Sequence, residues 1–168
     1  MKMVLAYLSA PIIHSNLRKD DFCHTVITAL EDAGITVFAP HLLDERDAIT
    51  VYRRDVEQVR LSDFVIAEVS SPSLGVGMEI MLAIDLVKPV IMFYRSDVDR
   101  ISKMIFGADG KALFEYSSMK DVERILHSMN LDSLIVQKCA SCSSQVAEVL
   151  EDEIRCVACG HSERDFVV

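Results

Sequence analysis

The chain has 168 residues, 51% of them hydrophobic, and a formal net charge of −9. That length holds one ordinary domain and a small appendage, and the acidic balance argues against an extended nucleic-acid surface, which needs clustered Lys and Arg. No apolar run approaches the roughly 20 residues of a membrane helix, and the opening MKMVLAYLSAP lacks a signal-peptide pattern, so neither a membrane partner nor export is expected.

Residues 4–8 are short, apolar and followed by Pro11, which predicts a first buried strand. A polar loop, 9–19, leads to a helix capped by Asp20 or Asp21, with Phe22, Val26, Leu30 and Ala33 at helical spacing and Gly34 as its stop. Cys23 on this helix is expected to be a buried structural thiol. A second strand, 35–38, ends at Pro40, a loop covers 41–46, and a second helix runs from about Asp47 to Leu61. Ser62-Asp63 turns the chain into a third strand, 64–69, followed by a small-residue loop, 70–77. The helix after Gly77 is apolar nearly all round (Ile80, Met81, Ala83, Ile84, Leu86, Val87), which suits either burial on most sides or a dimer interface, and Lys88-Pro89 ends it. A fourth strand (90–94), a short helix (97–106), a fifth strand (113–116) and a last helix (118–129) follow. This alternation predicts a flavodoxin-like, Rossmann-like α/β domain over residues 1–130, a five-stranded parallel sheet with helices on both faces. Ligands of such sheets bind at the carboxyl ends of the strands.

The stretch SDFVIAEVSSPSLGVGMEIMLA, residues 62–83, organises that edge. A strand, a glycine-containing loop and a helix start offer unpaired N–H groups and the positive end of a helix dipole. Gly75 and Gly77 permit close approach of a ligand to the backbone, and Glu79 is expected in the first helical turn, either as a group facing that ligand or as a dipole partner only. Asp55 shares a helical face with Tyr52 and Val59, so it either leans into the cleft or pairs with neighbouring arginines in solvent. Glu68 ends the third strand, where it either reaches the cleft or caps the loop. Tyr7 lies on the first strand, and its hydroxyl needs a partner if buried. His14 and His41 sit in loops at the same edge.

The register Asp55-x7-DFVIAEVSSPSLGVGMEI resembles the nucleoside 2-deoxyribosyltransferase superfamily, and within it the branch of 2′-deoxynucleoside 5′-monophosphate N-glycosidases, over about residues 3–127. The resemblance implies an active-site tyrosine at Tyr7 in the YLSAP motif, with Ser9 and Ala10 at substrate-binding positions. It implies a second catalytic acid at Asp55 and a nucleophile at Glu79. It places Ser73, Gly75 and Gly77 at the 5′ end of the ligand, and Ser102 at the serine a neighbouring subunit contributes, hence a homodimer with shared active sites. The residue types fit N-glycosidic cleavage: one carboxylate attacks the anomeric carbon while a second acid manages the proton on the leaving base. On this reading Glu79 is ionised, favoured by the helix start and Tyr7, and Asp55 is the protonated partner. Water as acceptor makes a hydrolase of nucleoside 5′-monophosphates, a second base makes a transferase between nucleosides, and a third alternative is a sensor that binds nucleotide without cleaving it. Serine at position 73, where transferases carry an acid for the free 5′-hydroxyl, favours a phosphate. Against this, Ala10, Pro11, Ile12 and Ile13 replace the family's GSxR loop, so its arginine is missing, and Arg18, Lys19 or Arg95 are the cations left to supply the charge. No organic cofactor is implied.

Four of the five cysteines form Cys139-x2-Cys142 and Cys156-x2-Cys159, thirteen residues apart. That spacing suits a structural four-thiolate zinc ribbon over residues 135–168, with a hairpin of 146–150 and 154–156, and implies a reducing cytoplasm. His161 is a weaker ligand candidate. Between Ile135 and Val168 three Lys or Arg face six Asp or Glu, which suits a brace, lid or protein-docking role better than nucleic acid.

Overall fold

Every predicted alternation of strand and helix is present in the computed structural model, which describes residues 2–12, 16, 19–44 and 46–164. In chain order these are β1 (Leu5–Ser9), α1 (Asp20–Asp32), β2 (Thr36–Phe38), α2 (Ala48–Leu61), β3 (Phe64–Glu68), α3 (Leu74–Asp85), β4 (Val90–Arg95), α4 (Lys103–Phe106), β5 (Lys111–Tyr116) and α5 (Met119–His127). The strands pair in parallel in the order β2-β1-β3-β4-β5, the flavodoxin-like order.

Side chains alternate across this sheet and divide the core in two. Ala6, Leu8, Phe64, Ile66, Ile91 and Phe93 pack against Phe22 and Leu30 of α1 and Val122 and Leu126 of α5. Tyr7, Val65, Ala67 and Met92 pack on the other face against Val59 of α2 and Val76, Ile80 and Ala83 of α3. Both faces being covered explains why all five residues of β3 are buried and why the strand reads as a continuous apolar run.

Three local expectations are corrected. Lys19, not an aspartate, occupies the N-cap of α1, and Asp20 and Asp21 fall in its first turn, where they face the helix dipole. Helix α3 begins at Leu74, because the Ser73 hydroxyl caps it by accepting from the Val76 amide at 3.4 Å. Gly75 and Gly77 are therefore helical, and Glu79 stands in the second turn and not the first. The helix expected over 97–106 contracts to Lys103–Phe106; Asp97, which might have opened it, is instead held by the Arg95 guanidinium at 2.9 Å.

A second, antiparallel sheet follows, β6 (Leu134–Val136), β7 (Val146–Val149), β8 (Glu153–Cys156) and β9 (Ser162–Arg164), in that spatial order. The expected hairpin is β7–β8, closed by the Leu150 amide donating to the Glu153 carbonyl at 2.8 Å. This sheet is seated on the first. Val146 is fully buried in the α1/α5-side core, with Leu134 and Val157 packed against it. The Gln145 amide donates to the Lys111 carbonyl at 2.8 Å, and the Gly110 amide donates to the Gln145 side-chain carbonyl at 2.9 Å. The buried carboxylate of Glu148 accepts from the Asn130 amide and from Arg155 Nε at 2.8 Å. No helix among the described residues is long and apolar enough to cross a membrane.

Candidate active site and metal centre

Residues 7 and 9 of β1 share the sheet face covered by α2 and α3, so Tyr7 and Ser9 both look toward those helices. Glu79 of α3 meets them there: the Ser9 hydroxyl, itself buried, donates to the Glu79 carboxylate. The Tyr7 ring is buried and stacks on Phe38, 5.4 Å between centroids. Its hydroxyl adjoins Glu79 without completing a hydrogen bond of full geometry. Asp55 of α2 completes the group, its charge felt by both Tyr7 and Glu79. Its side chain is 13% exposed and accepts from Arg54 Nε at 2.7 Å, so it both leans inward and pairs with an arginine. Tyr52, expected on the same helical face, is largely exposed instead.

Burial pushes the Glu79 carboxyl up to about 7, reinforced by the charge of Asp55 and opposed by the hydroxyls of Ser9 and Tyr7. Of the two groups expected to favour its ionised form, Tyr7 acts in that direction, whereas the helix start does little, because a residue in the second turn is beyond most of the dipole's reach. Burial likewise drives the Tyr7 phenol strongly upward, helped by Glu79 and Asp55, so Tyr7 is a neutral donor facing a carboxylate. Phe38 was not anticipated, and Arg54 only as one of the arginines neighbouring Asp55. Arg54 sits 5.8 Å from the centroid of Phe38 and offsets the two acids, and its only sequence signal is its position beside Asp55.

Glu68 faces the opposite side of the sheet and serves the loop. Its carboxylate, fully buried, accepts from the Ser70 amide at 3.0 Å and from the Ser70 hydroxyl. Ser70 Oγ in turn accepts from the Arg95 amide at 2.8 Å, and Lys19 Nζ stands 4.0 Å from Glu68.

A cavity of about 880 Å³ opens at the start of α3, lined by Ser73, Gly75, Gly77 and, from the 100–109 segment of the same chain, Ser102. Tyr7, Ser9, Asp55 and Glu79 do not line it; the helical register puts Glu79 on the far side of α3 from Gly77, Met81 and Ile84. The acid cluster and the cavity thus lie on different sides of α3. Ala10 is half-buried between them, packed against the core. His14 and Arg18 lie outside the described residues.

The four cysteines converge as expected. Their sulfurs lie within 4.8 Å of one another, with Cys139–Cys159 at 3.5 Å and Cys142–Cys156 at 3.6 Å, and none is in a disulfide. Tetrahedral thiolates at a zinc–sulfur distance of about 2.3 Å stand about 3.8 Å apart, so the set suits a metal ion of that kind. The Ser141 and Ser144 amides donate to Cys139 and Cys142 sulfur at 3.3 and 3.5 Å, the outer-sphere bonds of a CxxC knuckle. His161 is outside this set; its Nε2 is 3.8 Å from Glu163.

The chain belongs to the nucleoside 2-deoxyribosyltransferase family, whose model matches residues 6–118. It is 33% identical over 146 residues to a Thermofilum pendens protein provisionally named 2′-deoxynucleoside 5′-phosphate N-hydrolase 1, covering 78% of this chain and 98% of that one. It is 38% identical over 103 residues to the 5-hydroxymethyl-dUMP N-hydrolase of Tetraodon nigroviridis, covering 61% of this chain and 57% of the relative. The chain therefore spans little more than half the length of that fish protein. Among solved structures, the CMP N-glycosidase BcmB of Clostridium botulinum superposes with a TM-score of 0.59 at 19% identity, over 73% of this chain and 98% of that one, a likeness of fold.

The raised carboxyl of Glu79 carries a stability signature. The unfolded chain ionises this group near 4.5 and the folded chain near 7. The stability it confers is therefore full below about pH 4.5 and is lost as pH rises through about 7. Glu79→Gln removes that loss and makes the protein more stable above pH 7 by on the order of 2–3 kcal/mol. Urea midpoints of parent and variant across this window check it; parallel curves would reject the burial argument.

Proposed function

We propose that the chain hydrolyses the N-glycosidic bond of (deoxy)nucleoside 5′-monophosphates, releasing free base and (deoxy)ribose 5-phosphate. The observation that carries this reading is the half-buried Glu79 carboxyl, held by Ser9, faced by Tyr7 and coupled to a second acid, Asp55. Ionised Glu79 attacks the anomeric carbon as the carbon–nitrogen bond breaks. The bonding pair leaves with the base, and Asp55 handles the base's proton. Water then adds to the same carbon and releases the carboxylate. Tyr7 and Ser9 orient Glu79 and soften the cost of its charge. Ser73, Gly75, Gly77 and Ser102 receive the 5′ end, and Ala10 borders the sugar. The names of the relatives agree with this substrate class. Base exchange between nucleosides is the second reading, favoured by the Ala10-Pro11 departure in the first loop.

Residues 1–130 form the catalytic unit and 135–168 a zinc ribbon, with Zn²⁺ held by Cys139, Cys142, Cys156 and Cys159 in a closed, structural site. Four reduced thiols suit a cytoplasmic location. A homodimer is supported by the outer face of α3, where Leu74, Met78 and Met81 are 90%, 60% and 55% exposed beside the exposed Met104 and Phe106.

Three measurements test these readings. Chromatography of products from deoxynucleoside monophosphates should give free base and the sugar phosphate, with an acidic limb of kcat/KM near pH 7. Glu79→Ala should lower kcat by at least about a thousandfold, as expected for loss of a nucleophile. Exchange confined to nucleosides plus an acceptor base would instead make the protein a transferase. Elemental analysis should find one zinc per chain, and its removal by a chelator should lower Tm, each kcal/mol lost costing about 2–4 °C; an unchanged Tm on metal loss would contradict a structural site. Sedimentation should give a dimer that Met81→Asp converts to monomer, and a monomeric parent would end the shared-site reading.

A further inference from the structure

We propose that Arg100 and Lys103 provide positive charge that receives the 5′-phosphate. The inference rests on the monophosphate reading above and assigns its specificity. Two candidate cations are already engaged: Arg95 is clamped to Asp97 through Nε at 2.9 Å, and Lys19 stands 4.0 Å from the buried Glu68 on the other face of the sheet. Among the described residues of the first loop, Pro11 and Ile12 line the cavity, and neither carries charge.

Arg100 and Lys103 line the same cavity as Ser73 and Ser102, and both are exposed. Among the described residues neither enters an ion pair. The one acid on the wall, Asp109, is already accepting from Gln145 Nε2 at 3.2 Å. The wall is therefore net positive on a chain whose overall charge is −9. Two hydroxyls and two exposed cations lining one cavity are the kinds of donor a phosphate dianion requires, and the guanidinium adds a bidentate fork. The positions at which Gly75 and Gly77 would carry a Cβ meet nothing within 4 Å, so a phosphate can approach the amides of the first turn of α3 directly. The cavity is also lined by the apolar Met81, Ile84 and Ile105, and Met81 belongs to the face assigned to a second copy.

The test reads binding, so it does not depend on turnover. Calorimetry on the Glu79→Gln chain compares deoxyuridine 5′-monophosphate with deoxyuridine, with inorganic phosphate as competitor. The parent should prefer the monophosphate. Arg100→Ala/Lys103→Ala should cut that preference by about tenfold or more and weaken competition by phosphate in parallel. The exchange Arg100→Lys/Lys103→Arg should retain most of it. Full preference surviving in the double alanine variant overturns the assignment to Arg100 and Lys103 while leaving the monophosphate reading intact. Absence of any preference in the parent overturns the monophosphate reading itself. Both side chains are on the surface, so melting curves of the variants should match the parent and exclude a folding defect.

Discussion

The Ser9–Glu79 hydrogen bond is the constraint on which the site depends. It joins the carboxyl end of β1 to the second turn of α3, elements 70 residues apart in sequence, through one half-buried carboxylate. Burying that group costs free energy, visible in a carboxyl raised to about 7. Local hydrogen bonds offset only part of this cost. The remainder is met by the core that clamps β1 between β2 and β3 and packs Val76, Ile80 and Ala83 of α3 against it. The sheet order that flanks β1 with β2 on one side and β3 on the other is thus what permits a half-buried acid at its end.

The two glutamates near the strand ends illustrate how one sheet separates two tasks. Glu68 and Glu79 are both removed from solvent by neighbouring chain, and burial raises both carboxyls. Glu68 gives one oxygen to the amide and hydroxyl of Ser70, whose hydroxyl then fixes the amide of Arg95, and its other oxygen stands 4.0 Å from Lys19 Nζ, so its charge serves the geometry of the loop before α3. Among the described residues Glu79 has hydroxyl neighbours and a second acid but enters no ion pair, and Arg54 is bonded to Asp55. An acid surrounded by neutral donors keeps its reactivity available; one locked into amide hydrogen bonds does not.

The sheet was legible because buried parallel strands are unbroken apolar runs separated by helical spacing and glycine or proline stops, and the cysteine spacing announced its own geometry. The start of α3 was misplaced because Gly75 and Gly77 are poor helix formers. Propensity argued for a loop through Gly77, whereas the Ser73 cap and burial of Val76 pulled the helix back to Leu74. The contracted α4 has the same origin: the polar segment 97–102 has helical composition, but no buried face to hold it. Asp55, Tyr7 and Glu79 came from the family resemblance, and their convergence is a property of topology that no local pattern contains. Arg100 and Lys103 escaped notice because their significance lies in which cavity the β4–β5 connection borders.

That same connection links the cysteine-bearing sheet to the ligand edge. Gln145 bonds the Lys111 carbonyl with its amide, the Gly110 amide with its side-chain carbonyl and Asp109 with its side-chain nitrogen. Gly110 takes a positive φ of 67°, which favours glycine and makes this turn a defined corner, not a loose loop. Asp109 at this corner also lines the cavity. Val146, one residue further along, is sealed in the core of the parallel sheet. A chain segment that contributes a core residue and three hydrogen bonds to one corner is a structural buttress. Its acidic composition, unsuited to nucleic acid, is consistent with that duty: what β7 needs is a rigid frame behind it, and four converging thiolates are the means by which so short a sheet can have one.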